Sequence, residues 1–306
     1  MQEKEFLGLD CVEIRMGKID LIISESIGPR ILSLRMNGGN NIFAELPDQF
    51  LEYPGEGNYY LYGGHRLWIG PEVPSLTYLP DSHPIKIEQR SGSIDLIQEV
   101  DPASGIQKTI KVSLTEFNNI VIIDHQLKNM NDRPCKCAPW AITQLKLGGT
   151  AILPQQIFKH ENDALQPDRS VILWPYADIH DARLDWSNRF IIVHASPVDR
   201  ALKIGIANSQ QWIAYSIDNL LFIKYANSYA TRELIDYGAT SQCYCNSRFI
   251  ELETLGPLKN IEPHGDIVHR EVWRVVEKPF KEFSSDAMLD FIMHDEMADI
   301  CRMLLR

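Results

Sequence analysis

Two stretches of this 306-residue chain combine residue types and spacings suited to acid–base chemistry. In "RFIELETLGPL", residues 248–258, Glu251 and Glu253 stand two positions apart among alternating apolar residues. On an extended strand such positions share a face, so the two carboxyls lie roughly 6–7 Å apart, with Phe249 beside them. Like charges at that spacing raise one pKa toward neutrality, where a general base works. The second stretch, "NYYLYGGHRLWIGPE", residues 58–72, gathers four aromatic side chains, a paired glycine, His65, Arg66 and Glu72. The pair Gly63–Gly64 permits positive φ or a close backbone approach. Either lets the chain swing His65, Arg66 and Trp68 onto one rim, next to Tyr62; the competing reading is a tight β-turn with an incidental histidine. Aromatic planes beside hydrogen-bonding groups suit a sugar, whose C–H faces stack while its hydroxyls bond.

Further candidates flank these. "ILWPYADIHDARLDW", residues 172–186, brings Trp174, Tyr176, Asp178 and Arg183 together without clear periodicity, as loops lining binding sites do. "CAPWAITQLKLGG", residues 137–149, offers Trp140, Thr143 and Gln144. Lys203 and Lys224 sit inside apolar strands ("ALKIGIA", "LFIKYA"). An inward lysine needs a partner, either a carboxylate such as Glu251 or Glu253 or an acidic or hydroxyl-rich ligand; a solvent-facing lysine needs none. His264, His269 and Glu271 in "PHGDIVHRE" match no zinc spacing. The six cysteines include two C-x-C pairs, Cys135/Cys137 and Cys243/Cys245, where structural zinc prefers C-x-x-C knuckles. Reduced thiols, no metal and no cofactor are expected. There is no nucleotide-binding glycine loop and no G-x-S-x-G elbow.

The elements that must position these residues are strands. More than a dozen segments, among them "KIDLIIS", "KTIKVSLTEF", "IVIIDHQLK" and "IVHREVWRVVE", mix β-branched or aromatic residues with period-2 alternation. Short turn signals separate them, with no long Pro/Gly/Ser linker and no fixed-period repeat. This predicts a large antiparallel β-sandwich forming one domain over residues 1–306. The tail departs from the pattern. Leu289, Ile292, Met293, Met297, Ile300 and Leu304 recur at helical intervals, so a C-terminal α-helix over residues 283–306 is expected, N-capped by Ser284 or Ser285.

Composition bounds the partners. Hydrophobic residues make up 44% and charged residues 23%, enough for a sizeable core. A net charge of −11 argues against nucleic acid as main partner. No secretory signal and no apolar run long enough for a transmembrane helix stand out, so a cytoplasmic protein without membrane association is expected. Monomer and homodimer both remain open.

The motifs together resemble a known superfamily. "DLIISESIGPRILSLRMNGGNNIFAE" is similar to the N-terminal strands of galactose-mutarotase-like (aldose 1-epimerase) proteins. "YLYGGHRLWIGPE", "APWAITQLKLGG", "LWPYADIHDARL", "FIELETLGPL" and "VHREVW" resemble, in matching order, one uncharacterised bacterial branch of it. The resemblance implies an all-β supersandwich of antiparallel strands with a carbohydrate site on one sheet. In mutarotases a glutamate in a Leu-Glu-Thr setting takes the anomeric proton and a histidine protonates the ring oxygen. Leu252-Glu253-Thr254 matches the first, making Glu253 the implied base and Glu251 its tuning neighbour or substitute. Two departures stand against this. Mutarotases carry a histidine directly before the paired glycine, where this chain has Tyr62. Their mid-chain acid histidine has no counterpart, since "WAITQLKL" offers Thr143 and Gln144.

Two readings follow. In the first, an epimerase-like enzyme uses Glu253 as base and His65 as acid. Arg66 and Lys224 bind hydroxyls or an acidic group, and Trp68 and Trp140 stack on the ring. In the second, a non-catalytic carbohydrate-binding protein kept the pocket and lost the acid. A His65 facing Glu253 across the pocket favours the first. A His65 locked in the core, with Glu253 paired to a lysine, favours the second or a structural role.

Overall fold

The computed structural model describes residues 1–53, 57–156, 167–229, 234–278, 280 and 284–306. Strands β1 (Gln2–Phe6), β2 (Leu9–Met16), β3 (Ile19–Ser24), β4 (Arg30–Met36), β5 (Glu45–Tyr53) and β6 (Gly57–Gly70) enter a first sheet. After the short helix α1 (Pro74–Thr77), β7 (Lys86–Arg90), β8 (Ser93–Ile97), β9 (Ile106–Leu114) and β10 (Ile120–Asn129) build one wing of a second sheet. The chain then shuttles between the two. β11 (Cys135–Leu145) joins the first sheet, β12 (Thr150–Pro154) the second, β13 (Val171–Leu173) the first. β14 (Leu184–Trp186) and β15 (Phe190–His194) return to the second and β16 (Leu202–Ile206) to the first. β17 (Trp212–Ile217) and β18 (Leu220–Ala226) lie in the second, β19 (Ser241–Cys245), β20 (Ile250–Leu255) and β21 (Lys259–Ile261) in the first, and β22 (Asp266–Glu277) in the second.

All recorded pairings are antiparallel. The centre of the first sheet runs β4-β6-β11-β20-β19-β16, and that of the second β17-β18-β22-β10. Alternation does the sorting. β9 buries every second residue (Ile106, Lys108, Ile110, Val112), and the inward rows of both sheets meet in one core that includes Leu67, Leu145, Ile250, Leu252, Phe222 and Trp273. A second apolar layer, with Ile223, Tyr225 and Val272, covers the far face of the second sheet beneath the C-terminal segment.

That segment forms two helices rather than one. α2 (Ser285–Met293) is N-capped by Ser284 Oγ, which accepts from Ala287 N at 3.1 Å. α3 (Glu296–Leu304) begins anew at Asp295, whose carboxylate accepts from Met297 N and pairs with Arg274. A residue engaged as N-cap starts a helix and does not continue one, so the break falls at His294–Asp295. Residue 283, where the helix was expected to start, lies outside the described residues.

The paired glycine is a bend within β6 and not a turn at its end. Tyr62, Gly63 and Gly64 all have positive φ (52°, 86° and 71°). Before the bend β6 pairs with β5; after it, with β4 and β11. A Cβ on Gly63 would lie 1.8 Å from the Ala44 carbonyl oxygen, and one on Gly64 2.2 Å from that of Ile31, so both positions require glycine. Because β6 continues as a strand beyond the bend, consecutive residues alternate in facing. Trp68, two positions on from Arg66, lines the outer pocket, whereas His65 points inward between the sheets.

Candidate functional site

The outer face of the first sheet carries a pocket of about 410 Å³. Its floor comes from Trp68 on β6, Trp140 and Gln144 on β11, Glu251 on β20, Tyr244 on β19 and Lys203 on β16. Its rim comes from Gln49–Leu51 of β5, Glu72 and Tyr78 after β6, Tyr176, Asp199 and the β19–β20 turn, Asn246–Phe249. Trp68 meets Trp140 edge-on at 5.3 Å and Tyr78 at 4.9 Å, so the apolar wall is one contiguous set of rings. A larger groove of about 670 Å³, between Glu3–Glu5 and Pro84–Ile85, has no aromatic wall.

Register brings the charges together. Gln144 pairs with Glu251 and Ile142 with Glu253 across β11–β20, while Tyr244 and Gln242 oppose the same glutamates from β19. Glu253 is fully buried. Its Oε2 accepts from Trp140 Nε1 (2.7 Å) and Lys203 Nζ (3.0 Å). Lys203 is itself held between the rings of Trp140 and Trp174, 4.7 Å from each. Burial alone would discharge this lysine, but Glu253 and Glu251 outweigh it and raise its pKa. Glu251 reaches the pocket; Gln144 Nε2 donates to its Oε1 (2.8 Å) and Arg66 Nη2 lies 3.9 Å away. Burial and the neighbouring Glu253 charge push Glu251 up to about 7, against the pull of Arg66 and Lys203. Burial also raises Glu253, but Lys203 and Trp140 both favour its charged form. The shared proton of the pair therefore resides on Glu251.

His65 is not in the pocket. It is fully buried on the inner face, its ring edge-on to Trp273 at 4.6 Å, in a second cluster that joins the sheets. The hydrogen bonds there assign every proton. His125 Nδ1–H donates to the His269 carbonyl (3.0 Å), so His125 Nε2 accepts from His65 Nε2–H (2.6 Å). His65 Nδ1 then accepts from the Thr143 hydroxyl (2.9 Å). Lys224 Nζ spends its three protons on Thr143 Oγ1 (3.0 Å), the Leu252 carbonyl (3.0 Å) and Glu271 Oε1 (2.8 Å). Glu271 also accepts from Thr254 Oγ1 and from Trp273 Nε1 (2.6 Å). His269 Nε2–H donates to Thr254 (2.7 Å) and its Nδ1 accepts from Tyr229 (3.3 Å). All three histidines are neutral. Burial lowers His65 and His125 below the ordinary histidine value and His269 to about 3. Burial also drags Lys224 down, and Glu271 opposes that; with three acceptors at its three N–H groups, the ammonium is the form this cluster fits.

Several expected site residues therefore lie elsewhere. Lys224 belongs to the inner cluster. Tyr62 leans on the Cys11–Ile22–Leu32 cluster with Arg30 over its ring at 5.7 Å. Asp178 pins its own loop, accepting from His180 N (2.9 Å) and Arg200 (3.1 Å). Arg183 is a buried staple to Asp181 (2.8 Å), the Cys245 carbonyl and the Arg200 carbonyl. Arg66 is buried beside Glu251, its guanidinium 5.1 Å from the Trp68 ring, and Trp174 meets the pocket only through Lys203. Trp68, Glu72, Trp140, Gln144, Tyr176, Lys203 and Glu251 line it. Tyr244 and Asn246–Phe249 are additions; Tyr244 and Glu251 oppose each other across strands joined by a short turn, a hairpin that "YCNSRFIELE" suggests.

Among the described residues, the one group of three metal-type side chains is His65, His125 and Glu271, with ligand atoms within 4.8 Å. It does not fit a metal. The two Nε2 atoms are 2.6 Å apart and share a proton, whereas two nitrogens bonded at ~2.0–2.1 Å to tetrahedral zinc stand about 3.3 Å apart. Lys224 already supplies the cation. His264 is exposed and lies 4.0 Å from Asp132, away from His269. The six cysteines are free, and both C-x-C pairs lie in strands.

With fold and pocket described, the architecture matches solved structures: it is the galactose-mutarotase-like supersandwich. A galactose mutarotase-like protein from Lactobacillus casei superposes with a TM-score of 0.58 at 10% identity, over 87% of this chain and 100% of that one. A candidate aldose 1-epimerase from Klebsiella pneumoniae gives 0.60 at 11%, over 98% and 84%. A protein from Synechocystis sp. PCC 6803 gives 0.58 at 14%, over 90% and 100%. No protein-family model and no curated protein matches the chain. At these identities the likeness is one of fold. No helix among the described residues is long and apolar enough to cross a membrane.

Proposed function

We propose that the outer-face pocket binds a sugar and that the protein exchanges its anomers or epimers, with Glu251 handling the protons. One observation carries this reading: a carboxyl raised to about 7 stands at the floor of a pocket walled by Trp68, Trp140 and Tyr244. Rings that stack on C–H faces, and Gln144, Lys203 and Glu72 placed to bond hydroxyls, give the pocket a carbohydrate's chemistry. The fold neighbours named as mutarotase-like or epimerase proteins support the same class. The general base moves from Glu253 to Glu251, because Glu253 is capped by Trp140 and Lys203 and has no exposed surface.

A binding-only role is the second reading. It is favoured by the inward orientation of His65 and by the Lys203–Glu253 pair, which together remove the two-residue acid–base system of a mutarotase. NMR exchange spectroscopy on a panel of aldoses and uronic acids, alongside calorimetric binding, separates the two. Exchange above the buffer rate supports the enzyme; binding without exchange supports the binder. No binding by any member of the panel ends the carbohydrate reading.

A further inference from the structure

We propose that Glu251 alone carries out both proton transfers of hemiacetal ring opening, acting as an undissociated carboxylic acid, so that no histidine is needed. This rests on the sugar-pocket reading and goes beyond it by fixing the mechanism and restricting the substrate to a cyclic hemiacetal with a free anomeric hydroxyl.

The geometry leads there. Anomer exchange needs a proton delivered to the ring oxygen and another removed from the anomeric hydroxyl. Of the pocket's other protic groups, Lys203, Tyr176 and Tyr244 have raised pKa values and make poor acids near neutrality. Glu253 is bound on Oε2 and sealed from the pocket. Glu251 differs. Gln144 donates to its Oε1, which marks Oε1 as the carbonyl oxygen of the acid and leaves the proton on Oε2. Oε1 keeps a second lone pair for the ligand. The two oxygens of a carboxyl are joined through one carbon, as are the ring and hydroxyl oxygens of a hemiacetal, so the pairs match in spacing.

The step balances without another reactant. The Oε2 proton passes to the ring oxygen as the C1–O5 bond breaks. The anomeric O–H proton passes to Oε1 as the C1=O1 bond forms. The carboxyl ends neutral with its proton on the other oxygen. Rotation about C1–C2 turns the aldehyde over, and the reverse transfers close the opposite anomer. The charged and titratable groups around Glu251 and its pocket are Arg66 on β6, Lys203 on β16, Tyr244 on β19, Glu253 on β20, and Glu72, Tyr78, Tyr176, Asp199 and Arg248 from the rim. Of these, Glu253 keeps Glu251 protonated, while Arg66 and Lys203 work against it.

The test is anomer exchange followed by NMR from pH 6 to 9, with calorimetric binding of the same aldose and of its methyl glycoside. A relay through the acid form gives a plateau below about 7 and a fall of about tenfold per pH unit above it. Glu251→Gln is expected to bind the aldose and lose about 10²- to 10⁴-fold in rate. Glu253→Gln, which removes the charge that keeps Glu251 protonated, is expected to move the falling limb to lower pH. The methyl glycoside is expected to bind and not to exchange. A rate that rises through pH 7 is the signature of a carboxylate base and overturns the relay, as does a Glu251→Gln variant that keeps its rate. Binding without exchange overturns the relay and leaves the sugar pocket standing; failure of every sugar to bind removes the pocket reading itself.

Discussion

β6, β11 and β20 carry buried polar clusters on both of their faces, and the two clusters are built to opposite rules. On the inner face every donor and acceptor of His65, Thr143, Lys224 and Glu271 has a partner within the protein. On the outer face Arg66 Nε and Nη2, Gln144 Oε1 and Glu253 Oε1 have no hydrogen-bond partner in the protein, and Glu251 keeps its proton up to about 7. Buried polar groups are expensive unless satisfied. The saturated cluster therefore reads as architecture, pinning one sheet to the other. The unsaturated one lies directly beneath the pocket, which it borders through Gln144 and Glu251.

The largest expected effect breaks the inner cluster. Lys224→Met leaves the Glu271 charge buried and unpaired and should cost about 3–5 kcal/mol in urea unfolding. Lys203→Met, at the pocket, should cost less, since Glu253 can take up a proton beside the pocket. Equal losses would erase the distinction between the clusters.

Acidity comes next. The three inner histidines have folded pKa values below the unfolded value near 6.5, so unfolding takes up protons and stability falls as pH drops from about 6.5 toward the folded values, reached near 3 for His269. At full uptake the slope approaches about 1.4 kcal/mol per pH unit for each histidine. Glu251, raised from 4.5 to about 7, has the opposite sign: its ionisation destabilises the fold as pH rises through that window. Three histidines outweigh the two raised carboxyls, Glu251 and Glu253. Urea midpoints at pH 6.5 and 5.0 should therefore drop sharply on the acid side, and a flat profile would contradict the neutral network.

A smaller effect sharpens the outer cluster. Arg66→Met removes a positive neighbour of Glu251 and should move its titration above 7, followed by carboxyl ¹³C shifts, while the inner histidine shifts hold still. The smallest is Trp140→Phe. It deletes the N–H on Glu253 and should cost roughly 1 kcal/mol in sugar affinity or stability, read by calorimetry.

Much of the pocket was visible in the sequence because it rests on local alternation. Glu251 and Glu253 share a face as their i, i+2 spacing requires, and Trp140 and Gln144 face them from the next strand. His65 departs from the expected common rim with Arg66 and Trp68 because the chain stays extended after Gly63–Gly64. In β6 the bend is followed by six more residues of strand, and period-2 facing separates His65 from Trp68. Lys224 needs a partner on sequence grounds, yet that partner, Glu271, stands on β22, the neighbouring strand of its own sheet, and not on β20. Which strands pair across a long stretch of chain is set by topology, and no local pattern in "FIKYA" or "HREVW" records that. Asp295 does not stand out as a cap in the sequence because the apolar spacing runs through it unbroken.

One bond joins the two clusters. Lys224 donates to the carbonyl of Leu252, the residue between Glu251 and Glu253, so a buried ammonium grips the pocket's floor from behind. The backbone that carries both carboxylates is thereby immobilised before any ligand arrives. Sugar association should then proceed with little loss of protein conformational entropy, in the manner of a rigid receptor. Loosening that grip from inside the sandwich would weaken affinity without altering any residue that lines the pocket.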